Sequence, residues 1–152
     1  MTDIALVSNM ARQALPEGRL TIVVDATWAT PVILRPLALG ADFVLHSCTK
    51  YIGGHSDVLG GVVVGGSTGT AVALDSKLRL AQQLCGGVMG PWESYMSLRG
   101  LRTLHVRMER HCRNALEVAN FLASHKNVSD VLYPGLPSHS QHLLARQQMK
   151  NM

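Results

Sequence analysis

A chain of 152 residues, 47% hydrophobic and 16% charged, fits one modest domain with a real core and is neither disordered nor fibrous. No apolar run is long and charge-free enough to span a bilayer, and Met1-Thr2-Asp3-Ile4 lacks the basic start and apolar stretch of a secretory signal. The net charge of +4 contains no block of like charge, so it suits anionic small molecules and is weak evidence for nucleic acid, while Cys48, Cys85 and Cys112 form no CxxC pair and point to a reducing cytoplasm.

In chain order, Thr2 or Asp3 is placed to cap a helix with Ile4, Val7, Met10, Ala11 and Ala14 on one face, stopped by Pro16 and Gly18. Leu20 to Val24 is a continuous β-branched, apolar run, the pattern of a strand covered on both faces. Pro31 to Leu39 is predicted as a short helix closed by Gly40, and Phe43 to Leu45 as the next buried strand. Strand, crossover and strand in so few residues predict a parallel βαβ unit, hence an α/β fold. Val58 to Val64, bracketed by glycine pairs, is predicted as a further strand, and Leu74 to Leu84 as a helix. Breaks at Cys85-Gly86-Gly87 and Gly90-Pro91 precede a long amphipathic helix with Leu101, Leu104, Met108, Cys112, Ala115, Ala119 and Leu122 along one seam. Val131-Leu132-Tyr133 reads as a strand entering a Pro134-Gly135 turn, and Ser138 to Met152 as a polar helix. Two or three parallel strands cannot cover both faces of a sheet or protect its edges, so the chain is expected to be a piece of a larger subunit.

The chemistry concentrates in two places. Ser47-Cys48-Thr49-Lys50 ends a buried strand with a lysine beside two hydroxyls. An amine there suits a carbonyl cofactor, and hydroxyls two residues apart on an extended segment suit a phosphate. Asp25 ends the preceding strand, where ligands of open α/β sheets bind. Two roles fit it: holding a pyridinium nitrogen, or capping the Ala26 to Thr30 turn. Together Asp25, Ser47, Thr49 and Lys50 suggest a pyridoxal phosphate site.

Other features carry less. Gly53-Gly54-His55-Ser56-Asp57-Val58-Leu59-Gly60-Gly61 has neither nucleotide-loop spacing, so its glycines are expected to serve a tight turn beside the lysine. His55 with Asp57, and His105 with His111 and Cys112, lack the spacing of a metal site, and no metal is expected. Arg99, Arg102, Arg107, Arg110 and Arg113 lack interleaved aromatics and read as a solvated or subunit-facing helix surface. Trp28 and Tyr51 flank the candidate site; packing against a cofactor and ordinary core filling explain them equally.

Several of these segments match one family in order. Val24-Asp25-Ala26-Thr27-Trp28-Ala29-Thr30-Pro31, His46-Ser47-Cys48-Thr49-Lys50-Tyr51, Gly54-His55-Ser56-Asp57, Leu98-Arg99-Gly100-Leu101-Arg102-Thr103-Leu104 and Tyr133-Pro134-Gly135-Leu136 resemble the trans-sulfuration enzymes of cysteine and methionine metabolism. The resemblance to these cystathionine γ-synthase and γ-lyase-like enzymes covers essentially the whole chain. It implies part of the large domain of the aspartate aminotransferase-like, fold type I, pyridoxal phosphate transferases, followed by the start of an α+β C-terminal domain. Residues 1–110 would be the later half of the cofactor domain, and 111–152 a linking helix and the beginning of the C-terminal one. Lys50 would bond to the cofactor and shuttle protons, Asp25 would hold the pyridinium nitrogen, and Ser47 and Thr49 would bind the phosphate. Ala26 and Trp28 depart from the family's usual asparagine and phenylalanine.

The family's glycine-containing phosphate loop, stacking tyrosine and substrate-carboxylate arginine map onto no residue here. The implied activity is elimination or replacement at the γ carbon of cystathionine or an activated homoserine. The implied partner is a small amino acid, with no nucleic acid or membrane, and the complete enzyme would be a homotetramer. The alternative is a non-catalytic fragment that only binds cofactor or a full-length partner.

Overall fold

The two apolar runs pair in parallel at the centre of a computed structural model, which describes residues 1–15 and 19–150. Val23–Asp25 forms β1 and Phe43–Ser47 forms β2, with Val23 opposite Phe43 and Asp25 opposite Leu45. Gly61–Gly65, β3, pairs with β2 in the antiparallel sense, so the three-stranded sheet is mixed, in the order β1-β2-β3. Asp25 and Ser47 therefore finish their strands at the same, carboxyl end of the parallel pair.

Around the sheet lie α1 (Ile4–Ala14), α2 (Thr30–Ile33), α3 (Gly69–Cys85), α4 (Pro91–Leu101), α5 (Leu104–Ala123) and α6 (His142–Gln148). Asp3 caps α1, its carboxylate accepting from the Leu6 amide at 2.9 Å. The covered face of α1 is Ile4 and Ser8, however, so the apolar face expected from spacing is buried at Ile4, half-covered at Ala11 and exposed at Val7, Met10 and Ala14. The predicted stop at Pro16 and Gly18 lies outside the described residues.

Two buried clusters meet under the strand ends. Ile33, Cys48, Ile52, Leu104 and Met108 form one; Ile4, Ala26, Leu34 and Val44 form the other. Ala29 and Met149 touch both, and Met149 bridges to Leu34 in a single β-contact that draws the chain after α6 across the core. In α5, Leu104, Met108 and Ala119 are buried and Cys112 is half-buried, as the seam predicts, but Ala115 is exposed, as is Leu101 at the end of α4.

Several expectations need correction. β1 is short, and Val23 is 55% exposed at the sheet edge, so the strand is not covered on both faces. The predicted 31–39 helix breaks in two. Arg35, forced out of the helical region by the following proline, separates α2 from a 3-10 turn at Pro36–Leu39, which Gly40 closes at φ 96°. The long helix is likewise two, α4 and α5, parted at Arg102-Thr103. Val131 to Tyr133 forms no strand, because among the described residues no other strand lies beside it to complete a ladder.

Candidate active site at the strand ends

Beyond Ser47 the chain turns once, widely, through Cys48–Ile52, and kinks at Lys50, whose φ of −92° and ψ of −124° are not helical. The turn is held from below by burial of Cys48 and Ile52, which leaves Lys50 exposed on its outer side. The Cys48 amide donates to Gly60 O at 2.9 Å, tying the start of the turn to the segment entering β3. At the other end, Gly53 and Gly54 let the chain leave tightly. Gly54 has φ 79°, and a Cβ on Gly53 would collide with Val58.

Lys50 lines an open cavity of about 420 Å³ with Trp28, Thr49, Tyr51, Arg107 and His111. Its aromatic wall is continuous. Trp28 meets Tyr51 edge-on at 5.9 Å between centroids, and Tyr51 meets His111 at 5.4 Å. Trp28 is 74% exposed, so core filling does not account for it.

Asp25 and Ser47 are not part of that wall. A residue between them in space joins them: buried Thr27, whose hydroxyl oxygen accepts the Ser47 amide at 2.8 Å and whose own amide donates to Asp25 Oδ1 at 2.9 Å. The Thr27 side chain and then its amide hold the Asp25 carboxyl below its ordinary value, with a smaller contribution from nearby His46. Asp25 thus caps the following turn, and the same hydrogen bonds bias its carboxylate at the strand end toward the ionised form. Burial lowers His46, which keeps it neutral at neutral pH, and its Nδ1 has no hydrogen-bond partner among the described residues.

The two hydroxyls differ. Ser47 Oγ makes no hydrogen bond among the described residues, whereas Thr49 Oγ1 accepts the Gly60 amide at 3.1 Å and donates to Gly60 O at 3.4 Å. His55 bonds back to the Gly53 carbonyl at 2.9 Å, a turn-forming contact. Among the described residues no three His, Cys, Asp or Glu side chains are grouped as a metal site requires. Burial raises the Cys48 and Cys112 thiols, Ser97 partly opposing the shift at Cys48. A larger hollow of about 690 Å³ between the sheet and α4 has an almost wholly apolar lining, with Val44, Val62, Val64 and Leu98 among its walls, and includes neither Lys50 nor Asp25.

Sequence reasoning missed Thr27 and Arg107. Thr27 sits inside a quoted motif, but its partner Ser47 is 20 residues away. Arg107, expected on a solvated or subunit-facing helix surface, is half-buried and hydrogen-bonded to the carbonyls of Tyr51 and Ile52, far along the chain, and of Gly100.

The family described as Cys/Met metabolism PLP-dependent enzyme matches residues 1–152 of this chain. A cystathionine β-lyase of Coxiella burnetii is 47% identical over 150 residues, covering 99% of this chain and 37% of that protein. A cystathionine γ-synthase of Mycobacterium bovis is 53% identical over 129 residues, covering 85% of this chain and 32% of its own length. The crystal structure of cystathionine γ-lyase from Lactobacillus plantarum, complexed with L-serine, superposes with a TM-score of 0.90 at 39% identity, over 99% of this chain and 37% of that one. The α/β fold is therefore that of these enzymes, and the chain spans about a third of their length. No helix of the described residues is long and apolar enough to cross a membrane.

Proposed function

From the premise that the chain belongs to the Cys/Met metabolism PLP-dependent enzyme family, we propose that it is the lysine-bearing portion of a trans-sulfuration enzyme. Its substrate would be cystathionine or an activated homoserine, and its reaction elimination or replacement at the γ carbon. Relatives named cystathionine β-lyase, γ-synthase and γ-lyase differ in which bond changes and in which direction, and another is an L-methionine γ-lyase, so sulfur amino-acid chemistry is the shared ground and cystathionine its recurring substrate or product.

The donor set suits the family's cofactor. An exposed amine, an ionised carboxylate and a hydroxyl without a partner stand at the carboxyl ends of two adjacent parallel strands. Bound pyridoxal phosphate supplies an aldehyde for an amine and a protonated ring that delocalises an electron pair. Lys50 Nζ would hold the aldehyde carbon until the substrate amine displaces it, and would then take and return protons at the substrate carbons. Asp25 would keep the proton on the ring nitrogen, a task for an ionised carboxylate, and its hydrogen bonds from Thr27 favour that state. Ser47 would donate its hydroxyl hydrogen to a phosphate oxygen. Thr49 would do so once its hydrogen turns away from Gly60 O.

For the whole-length enzyme this reading implies a small amino-acid substrate, a homotetramer and a cytoplasmic setting, the last supported by three unpaired cysteines. The observation that carries the proposal is the parallel register that sets Asp25 and the Lys50 turn side by side with Thr27 between them.

The test is incubation with pyridoxal phosphate, a visible absorption spectrum, borohydride reduction and peptide mapping. The expected result is a visible band with the modification concentrated on Lys50 in preference to Lys77, Lys126 and Lys150, and loss of that band in Lys50→Ala. No band, or modification spread evenly over the four lysines, overturns the proposal.

A further inference from the structure

We propose that Arg107 is the positioning residue for Lys50, fixing the kinked turn from which that lysine reaches its cofactor; this rests on the reading of Lys50 as the cofactor lysine. Arg107 stands on the first turns of α5 and engages all three guanidinium nitrogens, the terminal two with other elements and Nε with the cap of its own helix. One terminal nitrogen donates to Tyr51 O at 2.7 Å. The other donates to Gly100 O at 2.7 Å and to Ile52 O at 3.3 Å, and Nε donates to Thr103 Oγ1 at 3.1 Å. No carboxylate pairs with it among the described ion pairs.

The partners explain the use. Tyr51 and Ile52 end the turn that carries Lys50, where backbone carbonyls run out of amide partners. Gly100 O, in the last turn of α4, also accepts the Thr103 amide and hydroxyl at 3.2 Å, so the guanidinium ties the turn to the junction between α4 and α5. A rigid planar fork with five donors can satisfy carbonyls from two elements at once while anchored to a third; the single ammonium of lysine cannot reproduce that geometry.

Two glycines make the approach possible. A Cβ on Gly54 would collide with the Arg107 guanidinium, and a Cβ on Gly100 would collide with the carbonyls of Ile52 and Gly53. The clamp therefore closes directly behind Lys50. The consequence is mechanical: Lys50 has a non-helical backbone within a turn only five residues long, and the two carbonyls that follow it are held by one side chain. Release of that side chain lets the turn relax toward regular geometry and moves the amine away from the cavity, and misplacement by about 1 Å costs reacting groups up to about a hundredfold in rate.

The experiment follows the rate at which pyridoxal phosphate becomes fixed to Lys50 on borohydride reduction, with Lys77 on exposed α3 as the internal reference. In this adduct the amine condenses with the aldehyde, water leaves, and hydride from borohydride adds to the carbon. Arg107→Ala is expected to slow labelling of Lys50 by about tenfold or more while Lys77 is labelled at the wild-type rate, and to weaken visible circular dichroism of the bound cofactor. Thr103→Val, which removes the Nε partner together with the Thr103 hydroxyl bond to Gly100 O but leaves both terminal nitrogens of Arg107 engaged, is expected to give a smaller slowing of the same kind.

Should Arg107→Ala fail to fold, Arg107→Lys decides, with slowed Lys50 labelling and unchanged Lys77 labelling expected. Wild-type labelling of Lys50 at the same rate in the folded Arg107 variant overturns the inference. Failure of the wild-type chain to label Lys50 selectively overturns instead the reading of Lys50 on which it rests.

Discussion

Two aspartates mark opposite poles of the parallel strand pair. Asp25 finishes β1 at the carboxyl end, exposed, its only hydrogen-bond donor among the described residues being Thr27. Asp42 stands just before β2 at the amino end, 0% exposed. It receives Arg12 at 2.6 Å, the Ile22 amide at 2.7 Å and the Thr68 hydroxyl at 2.5 Å. Asp42 has spent its acceptor capacity on joining α1, the approach to β1 and the cap of α3. Asp25 has kept most of its own. Satisfaction by the fold, more than residue type, separates a carboxylate that holds the structure from one available to a ligand.

The largest effect expected is at the amino pole. Asp42→Asn places an amide nitrogen against donors and leaves Arg12 without its counter-charge, for a loss of about 3 kcal/mol in urea unfolding, with Lys50 labelling unchanged once folded. The same carboxylate sets an acid limit. Burial alone would raise Asp42, but the hydrogen bonds from Arg12, Ile22 and Thr68 outweigh burial and hold it below its ordinary value. Its stabilisation is therefore full above the unfolded carboxyl range near pH ~4 and is lost as pH falls through the lower folded value. The Asn variant should lack that component of the acid transition.

Next in size, Asp25→Asn should weaken pyridoxal phosphate binding by about ten- to a hundredfold, the worth of one charge-assisted hydrogen bond, while stability changes by less than about 0.5 kcal/mol. A large stability loss there would erase the contrast between the poles. The smallest effect is expected at Thr27, which joins Asp25 to Ser47 within the carboxyl pole. Thr27→Val removes the acceptor for the Ser47 amide and the hydroxyl beside Asp25, at a cost of about 1 kcal/mol in thermal unfolding. Because the hydroxyl no longer favours the ionised form, Asp25 should titrate closer to its ordinary value in that variant, as NMR of the carboxyl carbon would show.

The carboxyl pole was the more legible in sequence. Lys50 with its hydroxyls and Asp25 at a strand end are local patterns, and the parallel crossover that joins them follows from apolar runs and a short connection. Asp42, though Gly40-Ala41-Asp42 also follows the family pattern, has no legible role in the sequence, since its partners Arg12, Ile22 and Thr68 come from three separate segments. Arg107 was misread for the same reason: helical spacing tells which face a residue occupies, not which carbonyls wait opposite it. The strand expected at Val131 to Tyr133 failed differently. Its residues favour extended structure, but a strand needs a neighbour and none lies within reach among the described residues.

Gly100 gives the site an unexpected pattern of mutational tolerance. Because α4 lies against the Lys50 turn through a residue without a side chain, the smallest addition there pushes backbone on backbone. A saturation scan scored on cofactor attachment should accordingly show a glycine remote in sequence, with no chemistry of its own, rejecting substitution almost as sharply as the lysine. Its neighbours Arg99 and Leu101, both exposed, should accept most replacements.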